Sequence, residues 1–221
     1  MDKKAKGSFR FYTRYMLSEL TGERASDLEG LLRLVRKVPD ASIYHHTHRY
    51  LQQHQYLSPE PPNDFAYWVG EAIGEDGLAE RLASIDTVRF SSISRLRNEI
   101  ELAIEKYLKE DPDSRTRRCH AGEEFNFIKA ISFIIPTEHE VDTLREFLEV
   151  LKIITIESIY FHIFEARLRL ERGQNDFSLW LETSLGEEKA ARRISRLDPY
   201  TYTMEDLRKT IIGIVEERTK G

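Results

Sequence analysis

Hydrophobic positions fall in short bursts along this chain, and their spacing changes from burst to burst. Phe9-Arg10-Phe11-Tyr12 alternates apolar and polar side chains and predicts a short strand. The stretch from Phe125 to Ile135 is rich in β-branched and aromatic residues. Periodicity alone leaves strand and buried helix both open over 125–135, with Pro136 as the stop in either case. Helical spacing follows each burst. Leu28, Leu31, Leu32 and Val35 share a face behind Ser26-x-x-Glu29; Val141, Leu144, Leu148 and Leu151 share one behind Thr137-x-x-Glu140. Both tetrads read as capping boxes.

Ser42-Ile43-Tyr44-His45-His46-Thr47-His48 then opens a further helix, and Ser158-Ile159-Tyr160-Phe161-His162 opens another that stops at Gly173. Asn63-Asp64-Phe65 and Asn175-Asp176-Phe177 predict Asn N-caps, each with an acid in the first turn where it suits the helix dipole. Trp68 and Trp180 lie on the apolar faces behind them, and Gly74 and Gly186 are the stops. Ser92 and Thr203 cap the final helices, with Asp86 and Asp198 expected to cap locally or to pair with Arg97 and Arg208.

The same signals recur in the same order, which predicts the architecture. The fold class is mainly α, or α+β with short strands. It is expected as two pseudo-symmetric tandem repeats of a strand-plus-helices unit packed as one body. Repeat unit 1 would occupy 7–109, a charged linker 110–124, and repeat unit 2 125–219.

Composition narrows the function classes. Of 221 residues, 40% are hydrophobic and 32% charged, the profile of an ordinary globular protein. A net charge of −5 argues against nucleic acid as a partner. Cys119 is the single cysteine, so no intramolecular disulfide forms and a reducing compartment fits. No apolar signal-peptide core follows Met1-Asp2-Lys3-Lys4, and no apolar run reaches the length of a membrane span. The expected location is the cytoplasm, with no membrane partner.

The candidate chemistry centres on His45, His46, His48 and His54, with Glu60 and Asp64 as oxygen ligands for a divalent metal cofactor. The spacing matches no standard zinc motif. Phe161, Ile163 and Phe164 replace His45, Thr47 and His48 at the second occurrence, whereas His46 is matched by His162 and Asp64 by Asp176. The two matched histidines therefore read as structural, bonding a backbone carbonyl or the Asn-Asp-Phe cap. Trp68, Trp180, Tyr44 and Tyr160 read as core aromatics rather than a stacking platform. Cys119, beside His120 and near Arg115 to Arg118, could have a lowered pKa but sits poorly for a catalytic dyad. No nucleophile elbow, phosphate-cradling glycine loop or dinucleotide fingerprint is present.

The runs Ser42 to Leu51, Leu57 to Val69, Tyr160 to Leu170 and Leu197 to Thr203 together resemble a bacterial family known as a domain of unknown function. The resemblance implies similar length and duplication. It also implies a link to trehalose and α-glucan metabolism, because genes of such proteins lie near enzymes of that kind. The resulting expectation is a non-enzymatic binding, adaptor or regulatory protein acting on a protein or small-molecule partner, a homodimer included. The alternative is a metal-dependent enzyme built on the histidine-rich site.

Overall fold

The computed structural model describes residues 3–53, 63–166, 174–197 and 202–219, and the side chains of 49–53 and 88 are not among what it describes. Two long strands, β1 (Lys4–Ala25) and β2 (Phe125–Thr143), pair in a two-stranded antiparallel sheet. Between them come α1 (Leu28–Lys37), α2 (Asp40–Gln53), α3 (Asp64–Trp68), α4 (Asp76–Ala83) and α5 (Ile93–Glu110). After β2 come α6 (Leu144–Ile153), α7 (Ile156–Tyr160), α8 (Asp176–Trp180), α9 (Glu188–Ser195) and α10 (Met204–Thr219). Among the described residues, no helix is long and apolar enough to cross a membrane.

The expected tandem arrangement of strand-plus-helices units is overturned. The chain divides into two compact units, each assembled from separated segments. The first combines Met1–Tyr15 with Ser132–Gly221; the second combines Met16–Gln53 with Ser58–Ile131. Each strand thus gives one half to each unit. The strands are also much longer than the short ones expected. Residues 125–135 are strand, and Pro136 lies inside β2 rather than ending it. A two-stranded ribbon leaves one edge of each strand without a ladder partner, so a residue lacking an N–H is tolerated there.

Two capping predictions move for the same reason. Thr137 is a strand residue whose hydroxyl donates to the Phe11 carbonyl at 2.9 Å. The box sits later, where Thr143 accepts from the Glu146 amide and the Glu146 carboxylate accepts from the Thr143 amide. Likewise the cap of α1 is Asp27, accepting from the Gly30 amide at 2.7 Å, rather than Ser26. The glycine stops hold: Gly74 and Gly186 have φ of 73° and 72°, a left-handed conformation that suits glycine.

In the first unit, Phe9 and Phe11 from β1 enter a ring cluster with Phe147, Phe177, Trp180 and His162. In the second, Phe125 and Phe127 from β2 pack with Phe65, Trp68 and His46. Alternation explains this: Phe9 and Phe11 are 7% and 0% exposed, whereas Arg10 between them faces solvent. The charged stretch before β2 is tied down within the second unit. Pro112–Thr116 forms a 3-10 turn, Cys119 N–H donates to the Ser26 carbonyl, and Arg118 pairs with Asp27 at 3.2 Å. Arg97 pairs with Asp40, not Asp86; Arg208 donates to the carbonyls of Leu151 and Ile154 and pairs with Glu205, while Asp198 lies outside the described residues.

Candidate functional site

Two buried imidazoles hold matching positions in the two units. His46, on α2, has Nδ1 at 2.8 Å from Asp64 Oδ2, and its Nε2 is 3.0 Å from the Ile128 amide nitrogen. His162, just after α7, has Nδ1 at 2.7 Å from Asp176 Oδ2, and its Nε2 is 2.9 Å from the Tyr12 amide nitrogen. A backbone N–H can only donate, so each Nε2 must offer its lone pair. Each ring proton is therefore on Nδ1 and is donated to the aspartate. The arrangement fixes both rings as the neutral Nδ1–H tautomer.

The local sequence explains why the aspartates stand where they do. Asn63 Oδ1 accepts from the Ala66 amide while its Nδ2 donates to the Leu82 carbonyl. Asn175 does the same with Ser178 and Ile194. Held at both ends of its amide, each cap asparagine sets the first helical residue, Asp64 or Asp176, opposite an imidazole. The rings in turn satisfy strand-edge amides that have no ladder partner. Other side chains share that task. Trp68 Nε1 donates to the Glu123 carbonyl at 2.6 Å, Trp180 Nε1 to the Gly7 carbonyl at 2.8 Å, and Ser158 Oγ to the Tyr12 carbonyl at 2.7 Å.

The candidate metal ligands can now be placed. One ligand atom each from His45, His46 and Asp64 lie within 4.8 Å of one another, with both rings buried and Asp64 exposed. His48 is not part of that group: its ring stacks on Tyr44 at 5.0 Å between centroids and its Nδ1 meets Thr47 Oγ1 at 2.8 Å. His54 and Glu60 lie outside the described residues. His46 sets the constraint on an ion at this group. Coordination through His46 Nδ1 would move the ring proton to Nε2, where it would face the Ile128 N–H donor to donor. Coordination through Nε2 would displace that amide and leave it unpaired, at a cost of about 1–3 kcal/mol.

The first unit also holds a cavity of about 540 Å³ along β1, with apolar walls from Phe9, Tyr12, Phe161 and Trp180. Its polar lining comes from Ser8, Arg10, His162, Asp176, Thr183 and Ser184. Two π-helical segments frame it, Phe161–Glu165 and Leu181–Leu185, where the backbone widens to one extra residue per turn. Such segments recur at functional sites. Just beyond, Glu165 is 4% exposed and pairs with Arg14. Sequence reasoning missed Ser8, Arg10, Thr183 and Ser184. The alternation of β1 was a signal for the first two; a π-helical turn has no comparable signature.

Groups with shifted pKa lie elsewhere. The hydrogen bond to Glu75 at 2.5 Å, aided by burial, pushes the Tyr107 phenol up to about 12. Burial, reinforced by Glu124, pushes the Cys119 thiol up, the reverse of what its arginine neighbours suggest from sequence.

A family model described as "Family of unknown function (DUF5752)" matches residues 6–216. Among solved structures, "The structure of OrfY from Thermoproteus tenax" is similar over 99% of each chain, with a TM-score of 0.82 and 30% identity. No curated protein matches the chain.

Proposed function

The chain belongs to the DUF5752 family of unknown function, and from that premise we propose that it is a non-enzymatic binding protein that takes a small molecule into the cavity of the first unit. One observation carries the reading. His162, the imidazole on the cavity wall beside the Asp176 carboxylate, has its Nε2 lone pair taken by the Tyr12 amide and its Nδ1 proton directed at Asp176. A general base needs a free lone pair within reach of the proton it removes. Here that lone pair holds a strand edge in place. The imidazole of a histidine–aspartate pair that resembles catalytic machinery is thus spent on structure, in a cavity whose volume suits a small ligand.

The trehalose and α-glucan link implied by the sequence resemblance agrees with aromatic walls and a hydroxyl-bearing rim. The metal-dependent alternative is less well supported, because His46 is committed in the same way as His162. The test uses the purified full chain with a panel of di- and oligosaccharides, sugar phosphates and nucleotides. Titration calorimetry should find saturable binding of at least one compound, and NMR of the same samples should find no product. Turnover of any of them would overturn the reading.

A further inference from the structure

We infer that the cavity of the first unit binds a sugar phosphate, with the Arg10 guanidinium as the partner of the oxyanion. This rests on the binding reading above and names the class of ligand.

The donor and acceptor pattern of the lining carries the argument. Arg10 is solvent-facing and lines the cavity, and among the described residues it has no ion-pair partner. Several other arginines of the same unit do, Arg14 with Glu165, Arg193 with Glu217 and Arg218 with Glu187, whereas Arg196, which does not line the cavity, has none among the described residues. A guanidinium presents five donors in a fixed fork and no acceptor, which matches a phosphate geometrically. The neighbouring hydroxyls point to a different part of the ligand. Ser8 Oγ spends its proton on Glu140 at 2.6 Å, and Thr183 Oγ1 spends its proton on the Leu179 carbonyl at 2.8 Å. Both therefore face the cavity as acceptors, as does the Asp176 carboxylate. Acceptors without protons recognise ligand O–H groups. One cationic donor beside several acceptors, with the Ser184 and Tyr12 hydroxyls able to donate or accept, over a wall of Tyr12 and Phe161, describes a molecule that is an anion at one end and a polyol on a compact ring elsewhere. A bare anion would meet the Asp176 carboxylate and leave the Ser8 and Thr183 acceptors unused. A neutral sugar would leave the guanidinium unused.

The probes are glucose 6-phosphate, glucose and inorganic phosphate, titrated calorimetrically into the full chain and into its Arg10→Ala, Arg10→Lys and Thr183→Ala variants. Arg10 and Thr183 are exposed, so the variants should keep the native circular dichroism spectrum and melting profile. Glucose 6-phosphate should bind at least about tenfold more tightly than glucose or inorganic phosphate. Arg10→Ala should remove that advantage over glucose, the fold-change expected for losing a charge-assisted bond. Arg10→Lys should retain part of it, and Thr183→Ala should weaken glucose 6-phosphate without weakening inorganic phosphate. Equal affinities for glucose and glucose 6-phosphate, or an unchanged Arg10→Ala, would overturn the inference. So would inorganic phosphate binding as tightly as the sugar phosphate. No binding of any of the three, with a compound of another class still bound without turnover, would sink this inference and leave the binding reading standing. Release of phosphate from a bound sugar phosphate would do the opposite: the ligand class would stand and the non-enzymatic reading would fall.

Discussion

Replacing His162 with phenylalanine keeps a buried aromatic ring, six-membered in place of the five-membered imidazole, among Phe9, Phe11 and Phe177 but deletes both nitrogens. Two bonds disappear, one from the Tyr12 amide and one to Asp176. The lost bond to Asp176 costs about 1 kcal/mol net, and leaving the Tyr12 donor unpaired costs about 1–3 kcal/mol. The expected destabilisation of the first unit is therefore about 2–4 kcal/mol. His46→Phe makes the same deletion in the second unit with a smaller effect. Asp64 is 52% exposed at its side chain against 16% for Asp176, so it regains water more easily when its partner is lost. Two further variants separate the bonds. In His162→Gln the amide oxygen reaches roughly the place of Nε2 and can still accept from Tyr12, whereas in His162→Asn the shorter side chain cannot. Native-state hydrogen exchange read by NMR at the Tyr12 and Ile128 amides reports each unit separately, and urea unfolding gives the scale. Tyr12 should lose protection in His162→Phe and His162→Asn and keep most of it in His162→Gln, with Ile128 little changed throughout. Equal Tyr12 protection in the wild type and His162→Phe would refute the tautomer argument and the structural role built on it.

The remaining predictions concern single groups. The Tyr107 phenol is raised to about 12 by its bond to Glu75, so its folded pKa lies above the unfolded value of about 10. The stability it contributes is fully present below about pH 10 and is lost as pH climbs toward about 12. Urea midpoints should fall across that window and fall less in Tyr107→Phe; parallel curves would contradict this. Protein purified without an affinity tag should carry no stoichiometric zinc by elemental analysis, and His48→Ala should leave metal content unchanged while lowering stability by about 2–4 kcal/mol, because it deletes a buried ring stacked on Tyr44. One zinc per chain that vanishes in His46→Ala would overturn the donor-to-donor argument. Because burial pushes the Cys119 thiol up, its reaction with iodoacetamide near pH 7.5 should be slower than that of free cysteine, and an equal or faster rate would count against the packed position of that stretch.

The local signals were legible where a side chain reports on its own backbone. Asn63, Asn175, Ser92, Gly74 and Gly186 cap the ends they were expected to cap, because capping is settled within one turn. His46 and His162 stood out because each pairs in sequence with an Asn-Asp-Phe cap. Their rings do reach the aspartate of that cap, but on the other side they meet a strand amide rather than a carbonyl. What failed was the reading of extent and ownership. Thr137 and Glu140 form a plausible box in a sequence window, yet β2 continues through Pro136 to Thr143, because a ribbon edge needs no N–H there. Nothing in Phe9 or Phe125 says which set of helices will bury it; that is decided by packing partners far along the chain. Thr183 was invisible as a cavity residue for the same reason, being far from β1 in sequence and joined to it only by the fold.

The division of each strand between two units fixes an order of events during synthesis. The second unit is complete once about residue 131 has emerged, since all its segments then exist. The Lys4–Tyr15 half of β1 is made well over a hundred residues before its helical partners, His162 and Trp180 included. At about 5–20 residues per second, that half-strand, with Phe9 and Phe11 on one face, waits on the order of ten seconds for the chain that will bury it. The nascent chain is therefore exposed to aggregation along this half-strand, and a chaperone that holds extended apolar segments would find its target there.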